Sequence, residues 1–294
     1  MPVTLQLSGH VKDLGGGFVV RRLLPSAPRQ AVGPFLFFDH FGPVTVEPDS
    51  HHDVRPHPHI GLATVTYLFE GAMMHRDSLG TEQRIAPGAI NWMTAGSGIV
   101  HSERRPADLR DKTFVNHGLQ LWAALPEAFE EVAPSFSHTP AEAIPTLNVG
   151  AAQVRVLIGE AFGLHSPVPT FAPTLYLDVR FASAGDMELP ALAEELAVYT
   201  VDAPVQVDGD TVPPHTLALL EPGQTVRLQA DGPAQLMVLG GASLGAHRHI
   251  WWNFVSSRKE RINQAADDWQ AQRMGQVINE TEFLPLPERR PAGI

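Results

Sequence analysis

The residues that cannot sit inside a long helix decide the fold class. The chain carries 26 Pro and 25 Gly in 294 residues, scattered rather than clustered, so its apolar runs are broken roughly every ten residues. Proline removes a backbone donor and clashes with the preceding helical turn, and glycine raises the entropy cost of ordering. Short runs between turn residues suit strands instead. The runs themselves are rich in β-branched and aromatic residues, as in TVTYLFEG (64–71), TLYLDVRF (174–181), ELAVYTVD (195–202) and AQLMVLGG (234–241), which fit a pleated surface. An all-β chain follows, long enough for two domains with a core each.

Within that frame the stretch from His57 to Glu103 carries the chemistry. His57 and His59 are one residue apart, and in a strand residues i and i+2 point to the same face. His101 and Glu103 repeat the spacing after Gly96 and Gly98, which permit a backbone bend. Two such strands side by side would offer three ring nitrogens and one carboxylate to a single metal ion. The absence of cysteine excludes disulfides, thiolate zinc sites, iron–sulfur clusters and thiol catalysis, so the ion must be held by nitrogen and oxygen. Iron, manganese, nickel, cobalt, copper and zinc all accept such a set.

HPHIGLATVTYLFEG, PGAINWMTAGSGIVHSE and VRVLIGEAFGLHSPV resemble the pirins, members of the cupin superfamily with two β-barrels, and the likeness runs along most of the chain. The resemblance implies one metal, usually Fe(II), held by His57, His59, His101 and Glu103. It also implies a quercetin 2,3-dioxygenase-like activity, in which a flavonol or catechol-like aromatic is cleaved with O2 and Glu103 serves as base. Some pirins are instead transcriptional cofactors or modulators of a partner enzyme, which keeps a metal-containing regulator as the second reading. A non-redox cupin such as an isomerase ranks third. The position four residues after the second His, a Glu in many cupins, is Ala63, and the run Ile60, Gly61, Leu62 replaces a more polar one; a drier approach to the site is expected.

The full expectation is a pair of cupin (double-stranded β-helix, jelly-roll) barrels with a short C-terminal helix. Residues 1–135 form the metal-binding barrel, 136–150 a linker with Pro140 and Pro145, 151–255 a second barrel without ligands, and 256–294 a helix and tail. LAVYTVDAPVQVDGDTVPPHTLALLEPG echoes the strand, turn, strand, Pro-Gly order of the first barrel, with His215 standing apart. Ser257 and Glu260 have capping-box spacing, Ile262, Ala265, Ala266 and Trp269 follow as a core-facing stripe, and Gly275 is the predicted stop.

Other polar residues have less to distinguish them. His40 reads as a packed edge residue, with an outer-shell role as the rival. His75 and Asp77 share a face and read equally as a surface pair or as a partner for a ligand ring. His117 and Gln120 are candidates to face the pocket, Trp122 is assigned to packing, and Gly15 to Gly17 form a turn. His51, His52 and His138 are expected in solvent. The net charge is −11, with 32 acidic and 21 basic residues, which argues against direct nucleic-acid binding; Arg104, Arg105 and Arg110 alternate with acids and read as a solvated face. No signal-like start and no apolar run near 18 residues is present, so a cytoplasmic protein without membrane contact is expected, with a protein partner left open.

Overall fold

The computed structural model describes residues 2–14, 17–50 and 53–288; the expected turn at Gly15 and Gly16 and the paired His51 and His52 lie outside them. Over these residues the chain is built of short antiparallel strands, with one α-helix, Lys259–Gln270. Glycine ends strands where the backbone must turn against a neighbour. Gly71, after the Leu62–Glu70 strand, has φ +93°, and a Cβ there would meet the Val115 carbonyl at 2.6 Å.

Two compact units result, each a barrel of one larger and one four-stranded sheet. In the unit that holds the histidines, the four-stranded sheet runs Val54–His59, Ile99–Arg104, Met73–Asp77, Glu82–Ile85. The wall opposite contains, in order, Ser135–Thr139, Ile90–Thr94, Leu62–Glu70, Phe114–Ala124 and Phe35–Val46. In the other unit the four-stranded sheet runs Gly185–Leu189, Val226–Ala230, Val205–Val207, Asp210–Val212. The order along the sheet is the same in both: first in sequence, last, second, third. That shared topology substantiates the internal repeat.

The boundaries differ from those expected. Residues 136–150 are not a plain linker: Ser135–Thr139 pairs with Ile90–Thr94, and Thr146–Val149 pairs with Ala152–Ile158. Pro140, Glu142 and Pro145 fall on the short 3-10 turn Ala141–Ala143 and around it, between the two strands, which hides them from a composition reading. The units are also interleaved. Val3–Leu7 pairs with Leu217–Leu220 in the second barrel, and the chain from Leu244 onward belongs to the histidine barrel. Alternation identifies a strand but says nothing of which sheet it joins.

The C-terminal helix buries Ile262, Ala265, Ala266 and Trp269, the predicted stripe, in a cluster with Ile60, Val100, Trp251 and Phe254. Its predicted capping box does not form. The residue before the helix is Arg258, without a side-chain cap, because Ser257 is committed to Glu130: its N–H donates at 2.9 Å and its hydroxyl at 3.0 Å. Glu130 is 3% exposed and also takes Ser256 and Arg248. A buried carboxylate needs donors more than a helix end does. The helix stops at Gln270, five residues before Gly275.

Candidate metal centre

The His57 and His101 strands are antiparallel neighbours, with His101 directly opposite His57 and Ile99 opposite His59. On the other side of the His101 strand, Asp77 faces His101 and His75 faces Glu103. Cross-strand partners share a face, so one four-stranded sheet turns His57, His59, His75, Asp77, His101 and Glu103 into the barrel. Gly96, at φ +51°, enables the return: a Cβ there would sit 2.0 Å from the Val132 carbonyl.

The three predicted histidines converge. One ring nitrogen from each of His57, His59 and His101 lies within 4.8 Å of the others, and all three residues are buried. Their hydrogen bonds select which nitrogen. His57 Nδ1 donates to the Arg55 carbonyl at 2.9 Å, and His59 Nδ1 donates to the Asn253 carbonyl at 3.0 Å. Asp77 Oδ2 accepts from His75 Nε2 at 3.0 Å, which leaves His75 Nδ1 as an acceptor facing His101 Nδ1 at 3.4 Å. In each ring the Nδ1 position is therefore engaged and the Nε2 lone pair is released. His101 Nε2 is buried with no hydrogen-bond partner. A buried, unpaired lone pair is costly unless something occupies it.

Electrostatics agree. Burial lowers the His57 pKa to about 4, against the Arg55 carbonyl, which pulls it up. Burial, and then the neighbouring rings, hold His59 and His101 well below the ordinary histidine range. All three are neutral near pH 7, the form that ligates. The donor set fits a d-block cation: three converging neutral imidazoles with an orphaned nitrogen among them.

Glu103 stands outside that trio. Burial pushes its carboxyl up to about 7, while the Thr66 side chain beside it acts the other way. A cavity of ≈ 20 Å³, room for about one water, reaches Glu103 past Asp53, Arg105 and Asn116. The His75–Asp77 pair is buried rather than superficial, at 3% and 1% exposure, and it fixes the His101 ring. Burial raises the Asp77 pKa, but hydrogen bonds from His75 and Thr81 outweigh it and leave the carboxyl lowered.

The remaining candidates divide. Trp122 packs edge-on against His59, with centroids 5.1 Å apart, and Gln120 accepts the Thr66 hydroxyl at 2.9 Å, so both belong to the barrel wall. His40 is buried but faces His117, Nε2 to Nε2 at 2.7 Å, rather than the trio. His138, expected in solvent, is half-buried in the Ser135–Thr139 strand and donates from Nδ1 to Asn91 Oδ1 at 2.6 Å. Two residues missed by sequence reasoning complete the surroundings. Phe136 stacks on His75 at 4.4 Å, and Asn253 supplies the carbonyl for His59; alternation along 135–139 could have revealed Phe136, but nothing local marks Asn253. His215 lies in the other barrel near Arg21 and Asp202. Arg104 is bound to Glu280 and Glu282, and Arg105 donates to the carbonyls of Glu47, Pro48, Ser50 and Arg110. No described helix is long and apolar enough to cross a membrane.

The family model "Pirin" matches residues 17–123, and "Pirin C-terminal cupin domain" matches residues 176–275. The chain belongs to the pirin family. A pirin-like protein of Caulobacter vibrioides is 46% identical over 97% of this chain and 100% of its own length. The pirin of Rattus norvegicus is 33% identical, covering 93% of each chain. Among solved structures, quercetin 2,3-dioxygenase from Acinetobacter baumannii superposes with a TM-score of 0.89 at 31% identity, over 99% of this chain and 95% of that one. The pirin bicupin architecture expected from the sequence is thus the one found.

Proposed function

We propose that this pirin is a metal-dependent dioxygenase for flavonols of the quercetin type or related catechol-like aromatics, with His57, His59 and His101 holding one divalent ion. The observation that carries the reading is the trio of neutral rings with every Nδ1 engaged and the His101 Nε2 unpartnered; the likeness to a quercetin 2,3-dioxygenase supports it. Fe(II) is the first candidate, with nickel, manganese, cobalt, copper and zinc as competitors. Such an ion, when bound, supplies a Lewis acid and a meeting place for an aromatic oxygen and O2.

The protein's own part is orientation and proton handling. Trp122 and Phe136 wall the barrel beside the histidines with flat apolar surface. Glu103, whose carboxyl titrates near neutrality in a water-poor setting, takes the hydroxyl proton of the bound substrate or joins the histidines as fourth ligand. A carboxyl tuned toward the working pH is suited to the first role. Metal content by mass spectrometry on protein purified without added metal, followed by oxygen uptake with quercetin, tests the reading. Near-stoichiometric metal and an uptake lost in His57→Ala support it. Glu103→Gln is expected to lower turnover about 100-fold or more while the fold persists; unchanged turnover removes the base.

A regulatory reading has one observation in its favour. The partner of the His59 ring is a main-chain carbonyl of the C-terminal segment, so occupancy of the site would be felt along that segment, where a protein partner could read it. Bound metal without oxygen uptake across flavonols and catechols would favour this role.

A further inference from the structure

The barrel wall opposite the histidines carries a donor that no described residue uses. Asn91 is 3% exposed, its Oδ1 accepts from His138 Nδ1, and its Nδ2 has no hydrogen-bond partner. It lies in register between His138 on one strand and Thr66 on the next, and Thr66 in turn is opposite Gln120. Trp122 and Phe136, two residues along their strands from Gln120 and His138, meet the rings of His59 and His75, so the face that bears Asn91 is the one turned to the metal centre. His138 fixes the amide, which leaves the Nδ2 donor preset in the barrel. A buried donor left unpaired costs on the order of 1–3 kcal/mol, and a partner that binds there recovers part of it.

We propose that Asn91 is a specificity-determining residue, its Nδ2 donating to a neutral carbonyl oxygen on the aromatic substrate, remote from the oxygens that meet the metal. The proposal rests on the catechol-like part of the reading above, since the ketone of a flavonol is vicinal to the hydroxyl that would meet the metal. Spacing sets the length of the ligand. Asn91 and Met93 are successive inward residues of one strand, about 7 Å apart, and Met93 is opposite Phe136, which stacks on His75. Asn91 therefore lies one inward position beyond the level of the Phe136–His75 stack, which sets the carbonyl it meets apart from the oxygens at the metal. The donor sets its class. A neutral amide N–H in a buried wall pairs with a neutral carbonyl oxygen without the desolvation cost that a carboxylate would carry into the barrel.

Binding of two neutral diols to the cobalt(II)-loaded protein, followed by the visible absorption of the metal, tests this without turnover. The probes are 3,4-dihydroxyacetophenone, which has a carbonyl opposite the diol, and 4-ethylcatechol, which lacks it. The ratio of their affinities is compared between the natural chain and Asn91→Asp, which keeps the shape and a partner for His138 but replaces the donor by an acceptor; Asn91→Leu is the second variant. Differences in diol acidity cancel in that double comparison. The ketone preference is expected to fall about tenfold in both variants, with 4-ethylcatechol binding nearly unchanged. An equal ratio in all three proteins, with both diols perturbing the cobalt spectrum, overturns the role of Asn91 and leaves the aromatic reading standing. If neither diol perturbs the spectrum of the natural chain, the aromatic reading fails and the subsite falls with it.

Discussion

The two barrels match strand for strand and differ in what they enclose. In the four-stranded sheet of the second barrel, Met187 is opposite Leu228 and Leu189 opposite Val226, the places held by His57 opposite His101 and His59 opposite Ile99 in the first. Val207 is opposite Leu228 as Asp77 is opposite His101. By the same alternation Ala230 corresponds to Glu103 and Val205 to His75. Every one of these second-barrel residues is in a continuous apolar core. One topology thus supports two interiors: one closes on itself by hydrophobic burial, and the other holds polar groups whose remaining valence points at a ligand. Six side-chain identities, not a change of architecture, separate a filled barrel from a working one.

Substitutions at matched positions test that contrast. The largest effect is expected at His101→Ala, which should reduce metal affinity by about three orders of magnitude or more, since it removes one of three ring ligands; metal retained at full stoichiometry after dialysis would break the assignment. Its counterpart Leu228→Ala should cost about 3 kcal/mol of stability through the cavity it leaves, read as a shifted urea midpoint, with metal content unaltered.

The third effect is a pH dependence confined to the polar barrel. The unfolded chain protonates His57 near 6.5, the folded chain only near 4. Between those values the unfolded state binds more protons, so the metal-free protein should lose about 3 kcal/mol of stability as pH falls through the window. Glu103 acts in the opposite sense, because the folded carboxyl keeps its proton up to about 7 while the unfolded one releases it near 4.5. Glu103→Gln should therefore steepen the acid loss, measured as urea midpoints of metal-free protein from pH 7 to 4; a slope unaffected by Glu103→Gln would place its titration elsewhere. The smallest effect is expected at Asp77→Asn, which keeps all three ligands and loosens the His75–His101 orientation, with metal affinity lowered about 10- to 100-fold.

Much of this contrast is legible in the residues themselves. His-x-His and His-x-Glu in strands oblige each pair to share a face, and the β-branched runs between Gly and Pro dictate strands, so the all-β class and the two same-face pairs follow from local geometry, while the pair of barrels and the meeting of the histidines follow from the likeness to the pirins. What escapes is non-local. The orienting carbonyl of Asn253 is 194 residues from His59, and the exchange of terminal segments between units depends on pairing that no window of sequence contains. Ser257 and Glu260 show the same limit from the other side: their spacing is that of a cap, but the needs of buried Glu130 take the serine first. His138 reads as solvent-facing because it falls in a stretch that reads as a linker, yet its strand turns the ring to Asn91.

That long-range carbonyl has a consequence for how the protein is made. At about 5–20 residues per second, His59 leaves the ribosome some tens of seconds before Asn253 exists to receive its ring proton. The three histidines are all made within the first 101 residues of the chain, so a nascent or prematurely terminated product holds every ligand side chain but an unoriented His59. Full metal affinity is then a property acquired late in biosynthesis, after the second barrel has been made, and loading is tied to chains that have been completed.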